Sequence, residues 1–227
     1  MKEKGKIILI TGASSGIGRA LAFICAENKY SIIATYFSNK NKTDSLAEKC
    51  LKLGAKDIQT FYLDQGDDKS IRKFVKEVEK KYEGIDILVN NAAVVKRLPL
   101  IETTTKDIRE QIGVNLSGPI MLTSLLLPKI KEKIVNIGSS ATKEDFPNMN
   151  VYTASKYGII GFSKCLAKEN KGIHVSVVHP HSTKTQITNF ERGILPKEAA
   201  QVIFNVITGE LEVESGGEVN IRDILKY

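Results

Sequence analysis

An apolar run followed at once by a glycine-rich turn is the feature that most constrains the fold of this chain. Residues 7–10 read Ile-Ile-Leu-Ile, and residues 11–18 read Thr-Gly-Ala-Ser-Ser-Gly-Ile-Gly. A β-branched run without polar alternation is typical of a buried parallel strand. Gly12, Gly16 and Gly18 permit a sharp turn, close approach of an anion to the backbone, and tight packing of a helix start. The run therefore predicts a strand, a turn and a helix whose N-terminus binds a phosphate.

Three residues between these glycines complete the predicted phosphate-binding turn. Ser14 and Ser15 carry hydroxyl groups that can donate to a ligand or cap the helix, and Ile17 lies between the last two glycines. An ordinary strand-turn-helix connection built from small residues is the alternative interpretation of the glycine pattern alone.

Strands and helices alternate along the rest of the chain. The apolar pattern predicts further strands at residues 31–37, 58–63, 85–89, 133–137, 174–178 and 218–221. It predicts helices at residues 19–28, 46–53, 70–82, 115–127, 152–170 and 196–208, with polar residues 38–43 closing the second strand. This alternation is typical of an α/β fold with a doubly wound parallel sheet and helices on both faces. No linker divides the 227 residues, so we expect one domain over residues 1–227.

Charge, hydropathy and cysteine spacing argue against several classes of function. The 33 Lys and Arg are spread among 26 Asp and Glu, with no basic block that contains aromatic residues, so we expect no nucleic-acid partner. The apolar runs are too short to cross a bilayer and the basic start lacks a signal-peptide pattern, so we expect a cytoplasmic protein without a membrane partner. The 3 cysteines are widely spaced and suggest neither a disulfide framework nor a zinc site.

Four further motifs follow the glycine turn. They are Asn90-Asn91-Ala92-Ala93, then Asn115, then Ser139, then Tyr152-x-x-x-Lys156, with 13 residues from the serine to the tyrosine. Together with the turn, they resemble the short-chain dehydrogenase/reductase family over almost the whole chain, most closely the 3-oxoacyl-carrier-protein reductases and small carbonyl reductases. The resemblance implies a single Rossmann-type domain with strand order 3-2-1-4-5-6-7. It also implies hydride transfer between a carbonyl and an alcohol with NADP(H) or NAD(H).

Tyr152 and Lys156 lie four residues apart, on one face of the predicted helix. A phenol with a pKa near 10 is a poor acid-base group at neutral pH, and a nearby ammonium favours the phenolate. Lowering that pKa to about 7 requires about 4 kcal/mol, which Lys156 and an oxidised nicotinamide would supply together. We therefore expect Tyr152 to act as general acid and Lys156 as its activator. The resemblance also makes both residues cofactor ligands, with Lys156 on the nicotinamide ribose.

Ser139 and Asn115 complete the predicted catalytic set. Ser139 follows a predicted strand, at the end of the sheet where ligands bind in open α/β folds, and its hydroxyl can donate to a carbonyl oxygen that gains charge. Ser140 is a neighbour of the same kind, and the 13-residue step to Tyr152 favours Ser139. The resemblance implies that Asn115 supports a proton relay ending at Lys156; an amide that bridges backbone groups is its alternative role.

Two pairs of residues are predicted to bind the adenosine half of the cofactor. By resemblance, Asp64 meets the adenine amino group with Gln65 beside it, whereas capping of the following helix is an equal alternative for Asp64. Asn91 and Ala92 would flank the adenine ribose. The family usually has glycine where this chain has Ala93, which the turn must accommodate.

A second cofactor segment spans residues 180–185. By resemblance, Pro180, Thr183 and Thr185 lie against the nicotinamide, and the family usually has glycine where this chain has His181. A positive φ there would strain the backbone at His181. Residues 94–100 and 186–195 are predicted to line the substrate site, which should be open because the segment before the next helix is short.

The end of the second strand predicts the cofactor. A carboxylate at the position of Tyr36 would select NAD by accepting from the adenosine 2′-hydroxyl and repelling a 2′-phosphate. This chain has no acid there, and Ser38, Asn39, Lys40 and Arg19 are candidate phosphate partners. We therefore expect NADP(H) to be preferred, with NAD(H) possible, although Ser15 occupies a position where many NADP-dependent relatives carry a basic residue.

The leading prediction is an NADPH-dependent reductase of a ketone or aldehyde, with a 3-oxoacyl thioester among the candidate substrates. An NAD-dependent alcohol dehydrogenase and a non-enzymatic dinucleotide-sensing regulator are the alternatives. Lys129 and Lys131 are candidate contacts for an acidic carrier protein. We also expect a homo-oligomer, a tetramer or dimer, because small residues of the Tyr152 helix suggest that another subunit packs there: Ala154, Ser155, Gly158, Gly161 and Ser163.

Overall fold

A computed structural model of the chain describes residues 5–38, 40–144, 146–185 and 193–226. Within these ranges, seven parallel strands form one sheet in the order 3-2-1-4-5-6-7, which confirms the predicted topology. The strands are β1 Ile7–Ile10, β2 Ser31–Tyr36, β3 Asp57–Tyr62, β4 Ile85–Asn90, β5 Ile130–Ile137, β6 His174–His179 and β7 Glu218–Asn220.

Helices cover both faces of the sheet. Alternate residues of β1 belong to different cores, since Ile8 and Ile10 lie in one apolar cluster and Leu9 lies in the other. Both faces of the strand are therefore buried, which explains its unbroken apolar sequence. The described α-helices are α1 Gly16–Glu27, α2 Lys40–Leu53, α3 Asp68–Lys81, α4 Thr105–Ile112, α5 Gly118–Leu126, α6 Asn150–Glu169, α7 Pro196–Thr208 and α8 Ile221–Leu225.

Several predicted element boundaries were wrong. Residues 40–43 form the first turn of α2 instead of a loop, because Lys-Asn-Lys-Thr carries no apolar periodicity to announce a helix. The helix predicted over residues 115–127 is the end of a π-helical turn, Gly113–Ser117, followed by α5, and α4 was not predicted. A capping box between Thr104 and Asp107 marks the true start of α4. Strand β5 begins three residues earlier than predicted.

The topology places a crevice at the carboxyl ends of the central strands. Strand β1 pairs with β2 on one side and with β4 on the other, so the chain reverses its winding direction there. Open α/β sheets bind ligands at such a switch point. Among the described residues, no helix combines the length and hydrophobicity that crossing a bilayer requires.

Candidate active site

A cavity of about 1260 Å³ opens at the carboxyl ends of the strands. Its volume exceeds the few hundred cubic ångströms that a small substrate alone requires. Most of the predicted site residues line it: Gly12, Ser14, Ser15, Gly16, Ile17, Ser38, Asp64, Gln65, Asn91, Ala92, Ser139, Tyr152, Lys156, Pro180, Thr183 and Thr185. The sequence therefore located one continuous site from motifs spread over 170 residues.

The glycine turn has the geometry of an anion site. Gly12 and Gly16 have φ values of +67° and +54°, which L side chains rarely adopt. A Cβ on Gly18 would lie 2.6 Å from Asn91 Nδ2, so this position has no room for a side chain. Ser15 is the N-cap of α1, and its side chain makes no capping hydrogen bond. The first N–H groups of α1 are therefore available to a phosphate, and the turn fits the pyrophosphate of a dinucleotide.

Asn91 and Ala92 stabilise this turn through hydrogen bonds with Thr11. Thr11 Oγ1 accepts from the N–H groups of both residues at 3.0 Å, and Asn91 Nδ2 donates to the Thr11 carbonyl oxygen at 2.7 Å. The side-chain amide of Asn91 thus donates to the protein backbone, although Asn91 lines the cavity. Contact with the adenine ribose stays a prediction for this pair.

Ser139 and Tyr152 meet at the base of the cavity. Ser139 follows β5, and its side chain lies beside that of Tyr152 near the start of α6, close enough to act on the pKa of the phenol. Ser139 Oγ also accepts from the Ala141 N–H at 3.1 Å. Because a hydroxyl has one donor and two acceptor sites, this contact leaves the Ser139 proton available for a substrate oxygen.

Burial dominates the electrostatics of Tyr152 and Lys156, whose exposed fractions are 7% and 3%. Burial raises the pKa of Tyr152, and the Ser139 side chain and the nearby Arg97 offset only part of that rise. Burial also lowers the pKa of Lys156 to about 8. The Lys156 ammonium donates to the Ile137 carbonyl oxygen at 2.8 Å. In the cofactor-free chain, burial therefore determines the direction of the phenol pKa, and the lowering expected from Lys156 together with an oxidised nicotinamide stays a prediction.

Asn115 lies in the π-helical turn and is 1% exposed. Its Oδ1 accepts from the Val94 N–H and its Nδ2 donates to the Val94 carbonyl oxygen, both at 2.8 Å. The side chain thus clamps the backbone just after β4, and single π-helical turns are frequent at functional sites. The clamp joins segments 21 residues apart, so it is not an amide bridge within one helix, and the relay role stays a prediction.

The adenosine end of the cavity contains a buried amide that has no partner within the described residues. Both side-chain polar atoms of Gln65 are buried and lack a hydrogen bond there. Asp64 Oδ1 accepts from the Gly66 N–H at 2.8 Å. Asp67 caps α3, because its side chain accepts from the N–H groups of Lys69 and Ser70. The alternative role of Asp64 as the cap of this helix was therefore wrong. An adenine ring offers the donors and acceptors that a buried amide requires.

Beside the glycine turn lies a second, smaller cavity of about 460 Å³. Arg19 reaches across it to the start of α2, donating to the Lys42 carbonyl oxygen at 2.8 Å. Tyr36 lines neither cavity and packs edge-on against Tyr62, whereas the exposed Phe37 lines the larger one. Asn39 lies outside the described residues. The described residues that line the smaller cavity include two cations and no acid: Ser14, Ser15, Gly16, Arg19, Asn41, Lys42 and Ser45.

The segment after β6 passes over the cavity without backbone strain. His181 has no positive φ, so the expected strain at this position is absent. The Pro180 carbonyl oxygen accepts from the Ser140 N–H at 3.0 Å, which joins the segment to the Ser139 loop. Thr183 Oγ1 donates to the His181 carbonyl oxygen at 2.8 Å, and a Cβ on Gly16 would lie 3.1 Å from the Thr185 methyl group.

Three cationic side chains lie at the cavity. Arg97, Lys106 and Arg109 line it, beside the apolar Phe146 and Met149. Arg97 belongs to the predicted lining segment 94–100, whereas Lys106 and Arg109 were missed because no helix was predicted over residues 105–112. Residues 186–192, part of the predicted substrate lining, lie outside the described residues.

Lys129 and Lys131 lie away from this cavity, and their role as contacts for an acidic carrier protein stays a prediction. They flank the amino end of β5, and Lys131 pairs with Asp86 at 3.8 Å. The cavity lies at the carboxyl end, roughly 20 Å further along the strand.

Comparisons with known proteins agree with the motifs. A family model described as short chain dehydrogenase matches residues 6–193. The 3-oxoacyl-(acyl-carrier-protein) reductase FabG of Thermotoga maritima is 34% identical, with 97% of this chain and 98% of that protein covered. The human 17-beta-hydroxysteroid dehydrogenase 13 is 31% identical, with 91% and 72% covered. Relatives named for different substrates thus match at nearly equal identity, so identity does not select the substrate.

A solved structure agrees as well. A short chain dehydrogenase from Burkholderia cenocepacia, in complex with NADP, has a TM-score of 0.87 and 27% identity, with 97% of both chains covered. Its sheet and helices therefore follow the same path as those described above.

Proposed function

Because the chain belongs to the short-chain dehydrogenase/reductase family of NAD(P)-dependent oxidoreductases, we propose that it reduces a ketone or aldehyde to an alcohol, with NADPH as the preferred cofactor. The observation that carries this proposal is that the side chains of Ser139 and Tyr152 lie together in the cavity that also contains Lys156 and the open N-terminus of α1. A protein that only sensed a dinucleotide would not require a serine, a tyrosine and a lysine together in this cavity.

The cofactor, when bound, supplies the hydride. Its pyrophosphate would meet the backbone N–H groups after Ser15, and its adenine would lie near Asp64 and Gln65. Lys156 would hold the nicotinamide ribose, and Thr183 and Thr185 would cover the nicotinamide. The residues named here line one cavity, which supports these assignments.

Tyr152 holds the proton that the reduction consumes. A raised pKa keeps its hydroxyl protonated at neutral pH, as a general acid requires. Ser139 donates to the carbonyl oxygen as that oxygen gains negative charge. Lys156 carries charge beside the phenol, and Asn115 holds the backbone at Val94 in place next to it. Tyr152 and Ser139 thus act on the proton and on the carbonyl oxygen, and Lys156 and Asn115 act on their surroundings.

The choice of NADPH rests on the second cavity. Arg19 and Lys42 line it, and the end of β2 has Tyr36 where a carboxylate would repel a 2′-phosphate. The helix α2 also begins there, with no acid in its first turn. A phosphate at this place would face two cations and a helix N-terminus.

A 3-oxoacyl thioester is the first substrate to test. Several relatives are named as 3-oxoacyl-(acyl-carrier-protein) reductases, and Arg97, Lys106 and Arg109 give the cavity positive charge that suits an acidic carrier. A steroid ketone is the second substrate to test, because one relative is named as a steroid dehydrogenase.

The purified chain, incubated with NADPH and a panel of 3-oxoacyl thioesters, steroid ketones, aliphatic ketones and aldehydes, tests the proposal. We expect cofactor oxidation that depends on one class of carbonyl and forms the matching alcohol. NADPH binding without turnover of any carbonyl would favour the sensor, and turnover only of alcohols with NAD would favour the dehydrogenase.

A further inference from the structure

His179 is a buried histidine that the reaction described above does not use. It ends β6, its exposed fraction is 0%, and its ring lies between Ser139 and Glu218. Nδ1 is 3.1 Å from the Ser139 backbone nitrogen and 3.1 Å from the Ser139 carbonyl oxygen. Nε2 is 3.1 Å from Glu218 Oε2. A titratable side chain thus contacts the backbone of the residue that lies beside Tyr152.

The carboxylate of Glu218 determines which ring nitrogen carries the proton. Hydrogen bonds from Lys164 and Lys143, at 2.7 and 3.0 Å, hold the pKa of Glu218 at about 2, so it is ionised and can only accept. Nε2 of His179 must therefore donate to it. In the neutral ring Nδ1 then has a lone pair and accepts from the Ser139 N–H.

The other neighbours of the ring favour the same arrangement. Thr142 Oγ1 donates to the Ser139 carbonyl oxygen at 2.9 Å, so that oxygen has a donor without the histidine. A Cβ on Gly138 would lie 2.4 Å from Nδ1, so the ring packs directly on the backbone before Ser139. The charged groups that face the ring are Glu218, Lys143 and, through Glu218, Lys164.

We propose that His179 is a positioning residue for Ser139: its neutral ring, oriented by Glu218, accepts from the Ser139 N–H and thereby directs the Ser139 hydroxyl toward Tyr152. This inference rests on the proposed function. These contacts connect three neighbouring strands, since Ser139 follows β5, His179 ends β6 and Glu218 begins β7.

Protonation of His179 would reverse this contact. A charged ring has a proton on Nδ1, so it can no longer accept from the Ser139 N–H and would instead donate to the Ser139 carbonyl oxygen at 3.1 Å or to Thr142 Oγ1 at 3.4 Å. Burial lowers the pKa of His179, which keeps the ring neutral at neutral pH. Activity should therefore fall on the acid side as the ring becomes charged.

Two substitutions separate positioning from packing. His179→Asn places an amide oxygen near the position of Nδ1 and does not titrate, whereas His179→Ala removes the acceptor. We expect His179→Ala to lower kcat by about tenfold or more, as loss of one hydrogen bond implies, with the KM for NADPH within about twofold. We expect His179→Asn to recover most of that kcat and to lose the acid limb of the pH profile. Equal loss in both variants, or an unchanged acid limb in His179→Asn, would overturn the proposal.

Two further variants test the role of Glu218. Glu218→Gln should permit both ring tautomers and lower kcat, because an amide can donate as well as accept. Lys164→Met removes an exposed partner of the same carboxylate and leaves the contact with His179, so kcat should change by less than about twofold. Equal losses from these two variants would contradict the assignment.

Nitrogen NMR of the imidazoles provides a readout without turnover. The chain has only 3 histidines, so single substitutions assign the signals. At neutral pH we expect His179 to carry its proton on Nε2 in the wild type and to show a mixture of tautomers in Glu218→Gln. A proton on Nδ1 in the wild type would overturn the inference whether or not a carbonyl substrate is found, and failure of every carbonyl would overturn only the proposed function.

Discussion

The ammonium nitrogen of Lys156 lies 5.6 Å from the centre of the Tyr152 ring, one turn further along α6. Both side chains are buried, and the ammonium donates to a main-chain carbonyl instead of the phenol. We therefore expect the two residues to have separable roles, one in proton transfer and the other in charge and cofactor binding.

Tyr152→Phe should abolish turnover and leave NADPH affinity within a few-fold, because it removes the proton donor and little volume. Lys156→Ala should weaken both turnover and NADPH affinity, since one ammonium acts on the phenol and on the ribose. Steady-state kinetics and NADPH titration measure the two effects. Tyr157→Phe on the same helix is the matched control, because its hydroxyl donates to the Thr142 carbonyl oxygen away from the proton transfer. More than about a tenth of wild-type kcat in Tyr152→Phe would exclude it as the general acid.

Lys156 should make stability rise with pH. Its pKa is lowered to about 8 in the folded chain, whereas an unfolded lysine titrates near 10.4. Between these values the unfolded chain holds a proton that the folded chain has released, so the free energy of unfolding rises with pH. The full gain, about 3 kcal/mol, is present above the unfolded pKa and is lost as pH falls through about 8.

Urea unfolding of the cofactor-free protein across this pH range measures the effect. Lys156→Met removes the titration, so its stability relative to the wild type should be greatest at neutral pH and should decline by about 3 kcal/mol at high pH. Other titrating groups are present in both proteins and cancel in the difference. A difference that stays constant with pH would mean that Lys156 keeps an ordinary pKa when buried.

Oligomerisation stays a prediction, but the structure changes which residues of α6 support it. Ser155 and Ser163 are buried within the chain, and a Cβ on Gly158 would lie 2.8 Å from Leu116, so these three have intrachain roles. Gly161 is exposed, with nothing within 4 Å of its Cβ position, and it shares a helix face with Tyr157. A second copy of this chain would pack on that face.

Light scattering at micromolar concentration should therefore find an oligomer for the wild type and a smaller species for Gly161→Arg. Gly172→Arg is the matched control, because that glycine is also exposed and has nothing within 4 Å of its Cβ position. A monomeric wild type would end the prediction, and equal dissociation by both variants would remove the α6 face as the interface.

The sequence predicted the strands and the cavity-lining motifs because both depend on local patterns, whereas the order of the strands in the sheet came from the resemblance to a known family. Apolar runs locate strands, and Gly12 and Gly16 have the positive φ values that their turn implies. The contact between His179 and Glu218 could not be predicted in this way, since it joins residues 39 apart through the pairing of β6 with β7. The carbonyl partner of Lys156 was missed for the same reason, because no pattern in sequence specifies which backbone atom a buried ammonium meets.

Cofactor preference is the last prediction, and two matched pairs of variants test it. The wild type should favour NADPH over NADH by about tenfold or more in kcat/KM, because one charge-assisted contact contributes about 1.5 kcal/mol. Lys42→Glu should lower kcat/KM for NADPH by about tenfold or more and change that for NADH little. Lys52→Glu makes the same charge change at the far end of α2, remote from both cavities, and should leave the ratio within about twofold.

Tyr36→Asp should invert the preference, because a carboxylate at the end of β2 repels a 2′-phosphate and accepts from a 2′-hydroxyl. Tyr36→Phe keeps the ring that packs on Tyr62 and should keep the preference for NADPH. Parallel kinetics with both cofactors on one reducible carbonyl give all of these ratios. Equal efficiencies in the wild type, or a ratio that neither Lys42→Glu nor Tyr36→Asp changes, would mean that the surface beside the glycine turn does not bind the phosphate. Selectivity would then have to come from Ser38 or from residues that line the larger cavity.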